Sequence, residues 1–196
     1  MEGKTSKLAG GLGIVGTLVL TVSSVYWFSP TIEDSLKQQE FQLISKLNEK
    51  EGLYIRSFRR NKGILIHMDL DDFMNESTGD EEGAVALGIW CDSHLRRKRY
   101  FVSLDGYKKF CALSMGDVLW LGKKDEKLID LKKFMHLHKY FQEKIFPKFH
   151  LVWDSSNLGR NYTTWKGWCE WELSEPYSSK NKYKKDEIKK YCFENP

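Results

Sequence analysis

The sequence predicts a mainly α-helical, disulfide-stapled domain outside a membrane, held there by an N-terminal transmembrane helix and allowing one small β-hairpin. Three observations predict this architecture. The run Leu8–Phe28 contains no charged residue. Four cysteines fall into two similar frames, at 90–111 and 168–192. The segment Lys127–Phe146 carries apolar residues at the spacing of an amphipathic helix.

The run Leu8–Phe28 is long enough to serve as a membrane anchor. A helix rises ~1.5 Å per residue, so this run matches a hydrocarbon core of ~30 Å. Lys4 and Lys7 precede it, with Glu2 as one offsetting charge, and Glu33 and Asp34 follow it. Because basic flanks favour the cytoplasmic side, we expect residues 1–7 inside the cell and the chain from 29 onward outside. The alternative is a signal peptide cleaved near Ser24, which would release a secreted protein.

Beyond the anchor we expect a helical stalk over 29–52 and one extracytoplasmic domain over 53–196. Ser29 and Pro30 suit a helix start. The apolar residues of the stalk recur at helical spacing, at Ile32, Leu36, Leu43 and Leu47. A good stop follows at Gly52.

The first segment of the domain has an ambiguous secondary structure. Leu53–Arg59 and Ile64–Leu70 flank the turn-like residues 60–63, which predicts a β-hairpin with local helix as the alternative. An acidic, glycine-containing loop follows at Asn75–Gly83. Further on, the predicted stripe of the helix Lys127–Phe146 consists of Leu128, Leu131, Met135, His138, Phe141 and Ile145. Pro147 should end that helix.

The two cysteine frames match in register, which indicates a degenerate internal repeat. Each frame opens with Trp-Cys and closes with Lys-Lys-aromatic-Cys. Each also has leucine four residues after its first cysteine, at Leu95 and Leu173. Residues four apart share one face of a helix, so each frame predicts a short helical hairpin.

The hairpins predict two disulfides, Cys91–Cys111 and Cys169–Cys192. Each would close a loop of ~20 residues and contribute ~3 kcal/mol in the chain-entropy model. Four cysteines allow other connectivities, and four reduced thiols are the other alternative. Zinc is disfavoured because its cysteine ligands usually lie two to four residues apart, and no pair here does.

These features resemble the large paralogous families of uncharacterised membrane and surface proteins of haemotropic mycoplasmas. The resemblance rests on the short basic start, the glycine-rich apolar segment, the stretch Thr31–Ser45 and the closing frame Trp168–Cys192. It covers both ends of the chain well and the middle poorly. It implies a membrane-associated, surface-exposed protein that meets a host. It assigns no catalytic residue.

Acidic residues near the predicted hairpin are the candidates for metal binding. Asp69 and Asp71 resemble the start of a calcium loop, but Phe73 and Met74 stand where that loop needs an acceptor and a glycine. We therefore expect a solvated loop, no metal and no cofactor. An extracytoplasmic hydrolase that uses carboxylates within Asp69–Glu82 is the alternative function.

The function that the sequence favours is an anchored interaction or antigenic module without catalytic residues. Its partners would be the lipid bilayer and a protein, host-facing if the resemblance holds, with no small-molecule substrate. A third hypothesis is a soluble nucleic-acid-binding protein that uses basic runs such as 96–99. The net charge of +4 is mild, and an outward-facing domain rarely meets nucleic acid.

Overall fold

The computed structural model describes residues 29–68, 75–100, 102–120 and 127–193. Over these ranges the protein is mainly helical and has no β-strand, although isolated β-bridges join distant segments. None of the helices in the described ranges combines the length and the apolar character needed to cross a bilayer. The predicted anchor Leu8–Phe28 lies outside the described residues, so it stays a prediction.

The described residues form two modules, each with its own apolar core. The first module, residues 31–113, contains α1 (Ile32–Gln38), a 3-10 turn (Ile44–Lys46), α2 (Lys50–Leu65) with a 3-10 end (Ile66–Met68), α3 (Asp80–Leu95) and α4 (Asp105–Cys111). The second module, residues 114–193, contains α5 (Met115–Trp120), α6 (Leu131–His136), α7 (His138–Tyr140), a π-turn (Phe141–Ile145), α8 (Phe146–Lys148), α9 (Leu158–Ser174), a 3-10 turn (Ser179–Asn181), α10 (Lys182–Ile188) and a closing π-turn (Lys189–Phe193).

The two modules close in the same way. In the first, the Ile32 backbone N–H donates to the carbonyl of Arg97 at 3.0 Å, six residues after Cys91. In the second, the Met115 N–H donates to the carbonyl of Glu175 at 2.9 Å, six residues after Cys169. The repeat seen in the cysteine frames therefore extends to the first helix of each module.

Both modules also begin with the same helix cap. The Thr31 hydroxyl accepts from the Asp34 N–H at 3.0 Å, and the Asp34 carboxylate accepts from the Thr31 N–H at 3.2 Å. Ser114 and Asp117 repeat this reciprocal pair at 3.1 and 2.9 Å. Such a capping box satisfies N–H groups that a helix start leaves without partners.

Helices α3 and α9 occupy equivalent places and bury equivalent positions. Leu87, Cys91 and Leu95 recur every four residues on α3, and all three are buried. Trp165, Cys169 and Leu173 do the same on α9. This confirms the helical face that the Cys-Leu spacing predicts in each frame.

An ion pair ties the modules together where they meet. The Arg60 guanidinium on α2 donates to the Ser114 hydroxyl at 2.9 Å and to the Asp117 carboxylate at 3.2 Å. A backbone bond from the Tyr177 N–H to the Leu113 carbonyl, at 2.7 Å, adds to the contact. The first module thus reaches into the helix cap that starts the second.

The predicted β-hairpin is wrong, and its helical alternative is right. Residues 53–65 lie within α2, which runs through the predicted turn without a break. Asn61, taken as a turn residue, is buried, and its side-chain amide donates to the Ser57 carbonyl at 2.9 Å. Gly63 has open space around it and is tolerated near the helix end. Tertiary packing outweighs the strand propensity of this segment.

The acidic loop is shorter than predicted. Gly79 caps α3, and the acidic residues Asp80, Glu81 and Glu82 form its first turn. Negative side chains are favourable there because the helix dipole presents positive charge at its N-terminus.

The predicted stripe of 127–146 is only partly correct. The helix starts at Leu131, after Asp130 as its N-cap, and residues 127–130 are not helical. Phe141 and Ile145 are buried as predicted, but Leu131, Met135 and His138 are exposed. Phe134, which the predicted stripe omits, is fully buried. The first helix ends at His136, the π-turn Phe141–Ile145 follows after α7, and Pro147 lies within α8 instead of ending the helix.

The described part of the predicted stalk belongs to the first module. Ile32, Leu36, Leu43 and Ile44 are buried in its core. Helix α1 ends at Gln38, and Glu40 follows with a left-handed backbone (φ 65°). The chain therefore turns back onto α3 and α4 rather than extending as a free helix.

Candidate functional site: a groove between α2 and α3

A groove of about 590 Å³ opens between α2 and α3 of the first module. Its apolar surface comes from Tyr54, Ile55, Ala84, Val85, Gly88 and Ile89. Val85 and Ile89 lie one turn apart on α3, and each is 64% exposed. Two large aliphatic side chains open to water on one helix face make this groove a candidate contact surface.

Glycine at position 88 shapes the floor of this groove. A Cβ built at Gly88 would lie 3.4 Å from the ring of Tyr54, which is itself buried. The tyrosine ring therefore packs against the bare backbone of α3, and no side chain from position 88 fills the space above it. No side chain therefore lies between Val85 and Ile89 on this face of α3.

The Tyr54 hydroxyl stays neutral in this position. Burial raises the pKa of the phenol well above its usual range, and the negative charge of Asp92 raises it further. The Ser45 hydroxyl acts in the opposite direction but is the smallest of the three causes. Tyr54 therefore contributes an uncharged, mostly apolar surface.

The rim of the groove is acidic. Of the described residues that line it, the charged ones are Lys50, Glu51, Glu81 and Asp92. All four are exposed. Three carboxylates against one ammonium give the rim a net negative charge, although the whole chain carries +4.

The equivalent face of the second module has a different chemistry. Counting from the paired Trp-Cys positions, Val85 corresponds to Thr163, Gly88 to Lys166 and Ile89 to Gly167. These three residues of α9 are exposed. The Lys166 ammonium lies 3.6 Å from a carboxylate oxygen of Glu170, the counterpart of Asp92. The same helix in the same fold therefore does not need an apolar outer face.

The four cysteines lie where the sequence predicts. The sulfur atoms of Cys91 and Cys111 are 2.05 Å apart, and those of Cys169 and Cys192 are 2.06 Å apart, which is disulfide distance. Cys91 is buried on the inner face of α3, two residues after Ile89 on the outer face. The first pair therefore joins α3 to α4 from behind the groove.

The tryptophan of each cysteine frame stacks on another aromatic ring. Trp90 stacks on Tyr107 with ring centroids 5.2 Å apart, and Trp168 stacks on Phe149 at 4.1 Å. Each tryptophan directly precedes the first cysteine of its frame. These contacts explain the Trp-Cys pattern as packing around the cross-linked helices.

The acidic candidates from the sequence do not form a described site. Asp69 and Asp71 lie outside the described residues. Asp80 accepts from the Arg59 guanidinium at 2.8 Å, so this carboxylate is engaged in an ion pair. Within the described ranges no three His, Cys, Asp or Glu side chains gather as metal ligands would.

The basic run 96–99 is partly engaged in closing the first module. The Lys98 ammonium donates to the Ser29 carbonyl at 2.8 Å, and the backbone N–H of Arg99 donates to the Pro30 carbonyl at 2.9 Å. These contacts give the run a structural role at the end of α3.

Sequence reasoning missed the groove. A signal was present, since Val85 and Ile89 are spaced four apart with a glycine between them. It was hidden because Ala84 and Leu87 make the other sides of α3 apolar as well, so the exposed face cannot be told from the buried one. Comparison with known proteins finds no matching family model, no matching curated protein and no matching solved structure.

Proposed function

We propose that this protein is a single-pass membrane protein whose two-module domain faces outward and acts as an interaction or antigenic module without catalytic activity. The observation that carries the proposal is the pairing of all four cysteines at disulfide distance, one pair in each module. Disulfides persist in oxidising spaces outside the cytosol. The uncharged run Leu8–Phe28, with basic residues before it and acidic residues after it, also favours a domain that lies outside the cytosol.

The groove supports an interaction role over a purely structural one. Its apolar residues Val85 and Ile89 have no counterpart on α9, so the fold itself does not call for them. Exposed apolar side chains lower solubility, and these two do not contribute to the core. Contact with a partner protein is the role that fits them best. The resemblance to mycoplasma surface families makes that partner a host protein in this proposal.

The test combines topology and redox state in one experiment on intact cells that produce the full chain. External protease should remove the domain, and a non-reducing gel should show a faster band that slows after reduction. Cells opened with detergent serve as the control for protease access. A matched variant with all four cysteines changed to serine should lose the mobility shift.

Three outcomes would overturn the proposal in whole or in part. A domain that resists protease until the cells are opened would lie in the cytoplasm. Four cysteines that react with an alkylating reagent before reduction would show that the domain does not face an oxidising space. Appearance of the chain in the medium with its N-terminus near residue 25 would replace the anchor with a cleaved signal peptide. An N-terminal sequence that still includes residue 8 would support the anchor.

A further inference from the structure

We propose that the groove between α2 and α3 binds a helical segment of a partner protein that has an apolar face flanked by lysine or arginine residues. This inference rests on the proposed interaction function and names the partner's chemistry. The binding surface runs along α3 from Glu81 to Asp92. At the helical rise this is about 16 Å, which matches about three turns of a partner helix.

The apolar part of the recognition comes from α3. Val85 and Ile89 are spaced to meet partner side chains at helical intervals, and both are 64% exposed. Gly88 leaves a depression between them, floored by the ring of Tyr54. A partner leucine or phenylalanine seated there would cover three apolar groups at once.

The charge on the rim selects a basic partner. Glu51 lies on α2, and Glu81 and Asp92 lie near the two ends of the groove on α3. A partner helix with lysine or arginine beside its apolar face would meet Glu81 and Asp92 on α3 and Glu51 on α2, against the single opposing charge of Lys50. The same carboxylates disfavour an anionic lipid surface, because its headgroups would be repelled.

The second module supplies the internal comparison that supports this assignment. There the equivalent outer face carries Thr163, Lys166 and Gly167, with Lys166 paired to Glu170. That face is already polar and already charge-compensated. Binding should therefore occur at one module and not at both, giving one site per chain.

The experiment uses the full chain in nanodiscs of zwitterionic lipid, with empty nanodiscs as the blank. The probe is a synthetic amphipathic helix of about 18 residues, with leucine on one face and lysine on the other. A second peptide keeps the leucines and replaces every lysine with glutamate. Calorimetry should give one site per chain for the lysine peptide and no binding for the glutamate peptide.

Three variants localise the binding. Val85→Thr with Ile89→Thr should weaken it about tenfold or more, because both apolar anchors are lost. Glu51→Gln with Glu81→Gln should weaken it and reduce its salt dependence. Val152→Thr alters an exposed valine elsewhere, 82% accessible, and should leave binding unchanged.

Several results would overturn the inference. Equal binding to the Val85→Thr/Ile89→Thr variant would show that the groove is not the site. Equal binding of the glutamate peptide would remove the basic selectivity, and preferential binding to anionic vesicles without peptide would make lipid the occupant. The topology experiment stands apart from these results, since an inward-facing domain would defeat the proposed function without altering peptide binding in purified nanodiscs.

Discussion

Helices α3 and α9 hold the same place in the two modules. Their inner faces are alike, whereas their outer faces differ. On the inner face, Leu87 and Trp165 are both large, largely apolar and fully buried. On the outer face, Val85 and Ile89 are replaced by Thr163 and Gly167. The repeated fold requires apolar residues on the inner face and sets no such requirement on the outer face.

The helix caps show a second contrast. Asp34 and Asp117 make the same local bonds at the starts of α1 and α5. Asp34 is exposed, whereas the Asp117 side chain is 2% exposed and pairs with Arg60 of the other module. One local motif thus serves as a simple helix start in the first module and as the junction between modules in the second.

The largest expected effect comes from the inner face of α9. Trp165 is fully buried against Phe134 and Phe141, each with ring centroids 5.5 Å away. Trp165→Ala should lower the free energy of unfolding by about 3–5 kcal/mol, since it removes a large apolar side chain and leaves a cavity. Urea denaturation followed by circular dichroism measures this change.

Leu87→Ala is the matched variant in the first module and should cost about 2–5 kcal/mol. Trp165→Phe keeps most of the apolar volume and should lose less than Trp165→Ala. If Trp165→Ala costs under about 1 kcal/mol, the second core is not packed as described. Hydrogen exchange on the same variants would show whether damage in one module lowers protection in the other.

The cysteine pairs rank next. Their sequence separations are similar, 20 residues for Cys91–Cys111 and 23 for Cys169–Cys192. Replacing either pair with alanine should therefore cost about 3 kcal/mol, because loop-closure entropy depends weakly on loop length. Peptide mapping without reduction must first show each frame cross-linked to itself. Bridges between the frames would contradict the pairing and the module equivalence together.

Features that depend on residues close in sequence could be predicted, and features that depend on contacts between distant residues could not. The spacing of Cys91 to Leu95 is local, so it identified a helix face correctly. The strand-like runs Leu53–Arg59 and Ile64–Leu70 misled because decisive contacts come from far along the chain, such as the Ser57 hydroxyl donating to the Phe110 carbonyl at 2.9 Å. The groove depends on Gly88 facing Tyr54 across two helices, which no single-segment pattern contains.

The capping contrast gives a prediction of intermediate size. Asp117→Ala removes the acceptor for Arg60 and for the Ser114 N–H in a buried place, and should cost about 1.5–3 kcal/mol. Asp34→Ala removes equivalent local bonds in water and should cost about 0.5–1 kcal/mol. Chemical denaturation of both variants at neutral pH measures the difference. Equal costs would mean that the Arg60 contact adds nothing to the junction.

The smallest effect is the pH dependence of the first cap. The bond from the Thr31 hydroxyl, followed by the Thr31 N–H, holds the pKa of Asp34 below its usual value of 3.8. Since the folded state favours the ionised carboxylate, the stability that Asp34 contributes is present above pH 3.8 and is lost as the pH falls through its lower folded-state pKa. Carbon-13 NMR of the carboxyl carbon measures that pKa directly. Thr31→Val removes the hydroxyl bond and should raise the Asp34 pKa toward 3.8, and an unchanged value would show that this bond is not its cause.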